Sequence, residues 1–192
     1  NDSEYIAPRL GGIGEQIALR VRERIYRKMM ANLKPLSSWK IIDLGVTSDQ
    51  SADSNFFEKL YPYKNNITAV GLESASFLEE VYPGLNFILA DAKDLPFKNK
   101  EFDLAFCSAV IEHVGSRGEQ KRLIKESCRV AHVSVFTTPN RFFPLEFHTL
   151  TPLIHWLPMK LFRFYLKITG RSFFSHEENL NLLSESSFDT ML

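Results

Sequence analysis

Five short runs of apolar, strand-forming residues recur along the chain: 39–44 (WKIIDL), 67–72 (ITAVGL), 86–90 (NFILA), 102–108 (FDLAFCS) and 133–138 (VSVFTT). Turn residues or charges bound each run, and strict alternation is missing, as in strands buried on both faces. Helical patterns separate most of them. Ile13, Ile17, Val21, Ile25 and Met29 recur four apart with Arg and Glu between them, so an amphipathic helix is predicted over 13–33, ended by Pro35. Further helices are predicted over 55–60, 76–82 and 119–131, the last carrying Leu123, Ile124, Ser127, Cys128 and Ala131 on one side. Strands alternating with helices predict an α/β fold: a doubly wound, mainly parallel sheet with helices on both faces.

Beyond Pro139 the pattern changes, and FFPLEFHTLTPLIHWLPMKLFRFYLKI crowds aromatic residues and prolines together with few acids. Prolines break strands, so 142–168 is expected to form a mostly helical cap rather than more sheet. The tail HEENLNLLSESSFDTML closes on what reads as the start of a helix. The expected organisation is one domain: an N-terminal helical segment over 1–37, a ligand-binding core over 38–140, an aromatic cap over 141–183 and the start of a final helix over 184–192.

Composition narrows the partners. The 192 residues are 44% hydrophobic and 12% aromatic, enough for one core, and 23 basic residues balance 23 acidic ones. A neutral chain has no overall field to gather nucleic acid, so a small molecule is the expected partner. Cys107 and Cys128 are too few for a disulfide framework and have no metal-ligand spacing, which suits a reducing, cytoplasmic setting. No apolar run reaches the roughly 18 to 20 residues of a membrane span.

In an open parallel sheet, ligands bind beyond the carboxyl ends of the strands, where the strand order reverses. The runs end there in Asp43-Leu44-Gly45, Gly71-Leu72-Glu73, Ala90-Asp91-Ala92 and Cys107-Ser108-Ala109. An acid at the tip of the second strand suits ribose hydroxyls, the role expected for Glu73. An acid and a neighbouring backbone N–H after the third suit adenine, the role expected for Asp91 and Ala92. Each acid has a structural reading too, as a helix cap or turn residue, but three at successive strand ends make coincidence a poor explanation.

These stations, the segment DAKDLPF…FDLAFCSAVIEHV between strands three and four, and TPNR after strand five make residues 38–140 resemble a class I S-adenosylmethionine-dependent methyltransferase of the type 11-like group. The resemblance implies a Rossmann-like fold, S-adenosyl-L-methionine as cofactor and S-adenosyl-L-homocysteine as product. By the same resemblance Asp43 and Gly45 hold the methionine part, Glu73 the ribose and Asp91 the adenine; Thr47, Ala92 and Ser108 complete the expected cofactor set. It also implies a further pair of strands beyond the fifth, which these residues do not supply. Strand five is then expected to need cover from the cap, from a second chain or from sequence outside this span.

The loop after strand one departs from the family. Only Gly45 stands where several glycines are usual, with Thr47 and Asp49 at the later positions. S-adenosylmethionine has no pyrophosphate, so bare backbone N–H groups matter less than in a dinucleotide site. Thr47 and Ser48 offer hydroxyls, while Asp49 and Asp53 bring negative charge. A divergent but working loop is expected; the alternative is a non-catalytic, methyltransferase-fold binding protein with a degenerate loop.

Glu112-His113 could be a base with its carboxylate or part of a metal site. A branch acting on quinone precursors has a similar segment with another acid three residues earlier and binds a divalent metal there. Here that position is Ala109, so no metal is expected. Arg141, Glu146 and His148 follow in the loop that tends to face the acceptor, and the catalytic candidates are His148 and His113. His155 reads as a structural imidazole within the cap. The expected acceptor is a small molecule or glycan, methylated on oxygen in preference. A homodimer is compatible with the sequence, a nicotinamide oxidoreductase lacks its glycine turn, and Lys160, Arg163 and Lys167 make membrane-surface binding a less favoured rival.

Overall fold

The computed structural model describes residues 11–51 and 54–192. Asp53 and the first ten residues of the expected N-terminal segment lie outside the described residues. Five strands, β1 (Ile41–Leu44), β2 (Ile67–Gly71), β3 (Asn86–Leu89), β4 (Phe102–Ser108) and β5 (Ala131–Thr137), form one sheet in the order β3-β2-β1-β4-β5. Every pairing is parallel. The chain builds outward from β1 to β3 and then crosses to β4 and β5, so the carboxyl ends of β1 and β4 flank the point where the order reverses.

Successive residues of a strand face opposite sides, and each side meets its own helices. Ile41, Ile67, Ala69 and Phe106 pack with Met29 of α1 (Gly11–Leu33), Phe56 and Phe57 of α2 (Phe56–Leu60) and Leu78 of α3 (Phe77–Val81). Ile42, Leu44, Val70 and Ala105 pack with Leu123 and Ile124 of α4 (Arg117–Val130). Ser116 caps α4 by accepting from the Glu119 N–H at 3.3 Å, which meets one of the unpaired donors of the first turn.

Two expectations need correction. Burial on both faces holds for the central strands, but β3 is an edge strand and Leu89 is 63% exposed. The stripe on α1 is buried only toward its carboxyl end: Met29 reaches the core with Tyr26, Met30 and Leu33 beside it, whereas Ile17 and Val21 are exposed. Apolar spacing identifies the helix without stating how far the sheet extends beneath it.

After β5 come a small antiparallel hairpin, β6 (Leu145–Glu146) and β7 (Thr151–Pro152), then a 3-10 turn, Ile154–Trp156, and α5 (Met159–Ile168). The hairpin was not expected, because its organiser is a side chain: Glu146 accepts the N–H groups of His148 at 2.9 Å and Thr149 at 2.7 Å, closing the turn. The tail folds back on α4. Asn181 donates its N–H to the Glu112 carbonyl at 2.7 Å, Gln120 donates to the Asn181 carbonyl at 2.9 Å, and Arg117 donates to the Leu182 carbonyl at 2.9 Å. Ser184 and Ser187 form a capping box that starts α6 (Glu185–Asp189), whose Phe188 lies 5.7 Å from Phe136 of β5. Among the described residues, no helix is long and apolar enough to cross a membrane.

Candidate functional site

Gly45 ends β1 with φ +93°, a conformation that side chains rarely allow. A Cβ there would stand 2.2 Å from Cγ2 of Val110, which follows β4 and covers the turn. The one glycine kept in this loop is therefore the one that both backbone and packing require. Beyond it, side chains hold the loop. Asn55, itself left-handed at φ 47°, accepts from the Thr47 N–H at 3.0 Å and donates to the Thr47 carbonyl at 2.9 Å. Asp49 accepts from the hydroxyls of Ser51 at 2.5 Å and Ser54 at 2.6 Å.

The residues expected to hold a cofactor have separate fates. Glu73 is exposed just beyond β2. Asp91, just beyond β3, accepts from the Lys93 N–H at 2.9 Å and pairs with the Lys93 ammonium at 3.6 Å, yet 43% of its side chain remains exposed. Ala92 is buried in the core, and the Ser108 hydroxyl lies 2.7 Å from that of Thr137. The Thr47 hydroxyl accepts from the Asp49 N–H at 3.2 Å.

Asp43 sits opposite Ala69 and Phe106 in the sheet, and its side chain meets Glu58 of α2. Neither Glu58 oxygen has a side-chain N–H or hydroxyl donor among the described residues, while Lys64 gives its ammonium to the carbonyls of Glu58, Lys59 and Tyr61. Burial raises both acids above the usual carboxyl range, and the negative charge of Glu58 raises Asp43 further. A proton bridging the two is the arrangement that satisfies them. Sequence reading missed this pairing, since nothing in the spacing of 43 and 58 marks it.

Glu112, His113, Glu146 and His148 come together beyond the ends of β4 and β5. Glu112 and His113 lie on the 3-10 turn Ile111–His113, and His148 follows β6. The two Nε2 atoms of His113 and His148 are 3.0 Å apart. Nδ1 of His113 lies 2.7 Å from the Asn179 carbonyl, and Nδ1 of His148 lies 2.6 Å from Glu146 Oε1. Glu112 is fully buried; its Oε2 accepts from the Thr138 hydroxyl at 2.9 Å, and its Oε1 has no hydrogen-bond partner among the described residues. One ligand atom each from Glu112, His113 and His148 can be chosen within 4.8 Å of one another, so this group could hold a metal.

Electrostatics divides the two imidazoles. Burial opposes the charge of His148, but the Glu146 carboxylate outweighs it and raises the His148 pKa. For His113, burial prevails and lowers the pKa despite Glu112. Burial also acts to raise Glu146, yet the donors from His148 and Thr149 hold its carboxyl down to about 2. Sequence reading named Glu112-His113 and, in a later loop, Glu146 and His148, without joining the two pairs; it missed Asn179 and Thr138, which enter only through the folded-back tail and the end of β5. His155 donates or accepts at Nε2 with the Phe143 carbonyl, 2.8 Å away, inside the hairpin region.

Residues 49–134 match the family described as "Methyltransferase domain". No curated protein matches the chain. Solved structures are similar in fold: a SAM-dependent methyltransferase from Thermotoga maritima, described as a possible histamine N-methyltransferase, at 18% identity over 91% of this chain and 70% of its own, with a TM-score of 0.55; the YcgJ protein of Bacillus subtilis at 15% over 88% and 66%, with 0.56; and a SAM-dependent methyltransferase from Methanosarcina mazei at 21% over 85% and 81%, with 0.54. The chain spans 53% of the PH0226 protein from Pyrococcus horikoshii, at 22% identity over 58% of this chain and a TM-score of 0.46.

Proposed function

We propose that this chain is a class I S-adenosylmethionine-dependent methyltransferase and methylates a small-molecule or glycan-type acceptor, with oxygen as the preferred atom. The observation that carries the reading is the combination of the β3-β2-β1-β4-β5 order with a glycine turn after β1 and carboxylates accessible beyond β2 and β3. Those residues fit the cofactor: Glu73 accepts from the ribose hydroxyls, and Asp91 with the Ala92 N–H serves the adenine. Residues Gly45 to Ser51, tied by hydrogen bonds to Ser54 and Asn55, border the methionine end. S-adenosylmethionine, when bound, supplies a methyl group already activated on sulfonium.

Such a displacement needs alignment of the acceptor and, for a hydroxyl, loss of one proton; it needs no covalent nucleophile. His148 and His113 stand on the acceptor side in this reading, with Glu146 fixing His148 and the Asn179 carbonyl fixing His113. Incubation with methyl-labelled S-adenosylmethionine and a panel of hydroxylated small molecules and glycans tests the reading. Labelled product and stoichiometric S-adenosylhomocysteine are expected. Tight cofactor binding without transfer to any class of acceptor would favour the non-catalytic alternative.

A further inference from the structure

The His113–His148 contact has an unusual electrical requirement. The Asn179 carbonyl can only accept, so Nδ1 of His113 carries the proton there; Glu146 Oε1 imposes the same on Nδ1 of His148. A neutral imidazole has one N–H, so both Nε2 atoms present lone pairs, and these face each other at 3.0 Å. Such a contact is favourable only with a positive centre at the gap, either a proton shared by the rings or a metal ion bound by both. Glu112 separates the two cases. Its Oε1 is buried and lacks a hydrogen-bond partner among the described residues. A proton between the rings leaves that oxygen unsatisfied, whereas a cation answers both nitrogens and the carboxylate together.

We propose that Glu112, His113 and His148 bind one divalent transition-metal cation. Two imidazole nitrogens and a carboxylate oxygen suit zinc, manganese, cobalt or nickel rather than magnesium or calcium, which prefer all-oxygen shells. At the usual metal–nitrogen distance of roughly 2.1 Å, nitrogens 3.0 Å apart subtend about 90° at the ion, as neighbouring ligands of an octahedral site do. The surroundings are those of a ligand site: each histidine donates its other N–H to an oxygen that fixes tautomer and ring orientation, and Thr138 orients the carboxylate. Ala109 in place of an acid argued against a metal from sequence; His148, 35 residues beyond His113, supplies the third donor through the fold.

The ion's task, holding and acidifying an acceptor hydroxyl, rests on the methyl-transfer reading; its binding does not. The histidines are then ligands rather than bases. The acceptor proton leaves to water, its oxygen pair forms the new O–CH3 bond, and the S–CH3 bond breaks with its electron pair remaining on sulfur. Chelator-treated protein titrated calorimetrically with zinc and with manganese should bind one ion per chain. Cobalt loading should give visible absorption bands characteristic of nitrogen coordination. Glu112→Gln, nearly the same shape, and His148→Ala should each weaken binding at least tenfold, while Glu58→Gln leaves it unchanged. If His148→Ala fails to fold, Glu112→Gln alone decides. The proposal is overturned if none of the three metals binds stoichiometrically, or if binding survives in folded Glu112→Gln because other groups hold the ion. Titration with S-adenosylmethionine, run separately, keeps the two readings apart: cofactor binding without metal binding removes only the metal site, and the reverse removes only the methyltransferase assignment.

Discussion

Asp43 and Glu146 are both carboxylic acids with less than a tenth of their surface exposed, at 7% and 3%, and burial pushes the pKa of each upward. They end on opposite sides of the usual range. Asp43 meets a second acid, Glu58, and is held protonated more strongly; Glu146 meets His148 and the N–H and hydroxyl of Thr149, and falls to about 2. Partners rather than depth decide the charge of a buried carboxyl. The same contrast separates the two regions around them. Beneath β1, two acids form a packing unit between strand and helix. Beyond β4 and β5, Glu112, His113, Glu146 and His148 are collected into one polar cluster.

Removing the acceptor from that centre should have the largest effect. Glu146→Ala leaves the His148 Nδ1–H and N–H and the Thr149 N–H without their partner, the Thr149 hydroxyl keeping only Thr151, and about 3 to 5 kcal/mol of stability should be lost, as when a buried pair is broken. Denaturant unfolding measures it; a loss under about 1 kcal/mol would mean that the Glu146 network is only a surface turn. Next in size is Gly45→Ala, which forces a Cβ into Val110 at a positive φ and should cost about 2 to 4 kcal/mol. Val110→Ala in the same chain should recover the steric part but not the backbone part. Complete recovery would show that φ at Gly45 is not a constraint.

Glu73→Ala should weaken S-adenosylmethionine about 10- to 100-fold, the equivalent of about 1.5 to 3 kcal/mol, without changing the unfolding midpoint, because the residue is exposed. Unchanged affinity in the folded variant would remove Glu73 from the site. The smallest effect belongs to the acid pair and depends on pH. With folded-state pKa values raised, the folded chain binds more protons than the unfolded one, so the pair's contribution is present at low pH and lost as pH rises through the folded values. Glu58→Gln can donate to Asp43 without needing a proton. It should be near neutral in mild acid and more stable than the parent by about 1 kcal/mol at alkaline pH, the scale of one hydrogen bond. A difference that stays flat from acid to alkaline pH would show that the two acids do not share a proton.

How much the sequence discloses follows the same division. Strand ends are local, so apolar runs located β1 to β5 to within two residues, and chain order alone put Gly45, Glu73 and Asp91 beyond successive strands. The cluster around His113 and His148 is not local. Its members lie at 112, 113, 138, 146, 148 and 179, and their meeting depends on a hairpin closed by Glu146 and a tail docked through Asn181. Glu146-x-His148 was visible as a pair of ionisable residues, but spacing could not show that His148 turns toward His113. The glycine-poor loop was legible as a departure only; its support by Asn55 and Asp49 required the folded backbone.

The central claim, that the strand-end site takes S-adenosylmethionine, is tested most directly by calorimetric titration of the folded chain with that cofactor. One S-adenosylmethionine per chain is expected, displaced competitively by S-adenosylhomocysteine. A chain that is folded by circular dichroism yet gives no heat and no thermal shift with either compound, at millimolar concentration, would contradict it.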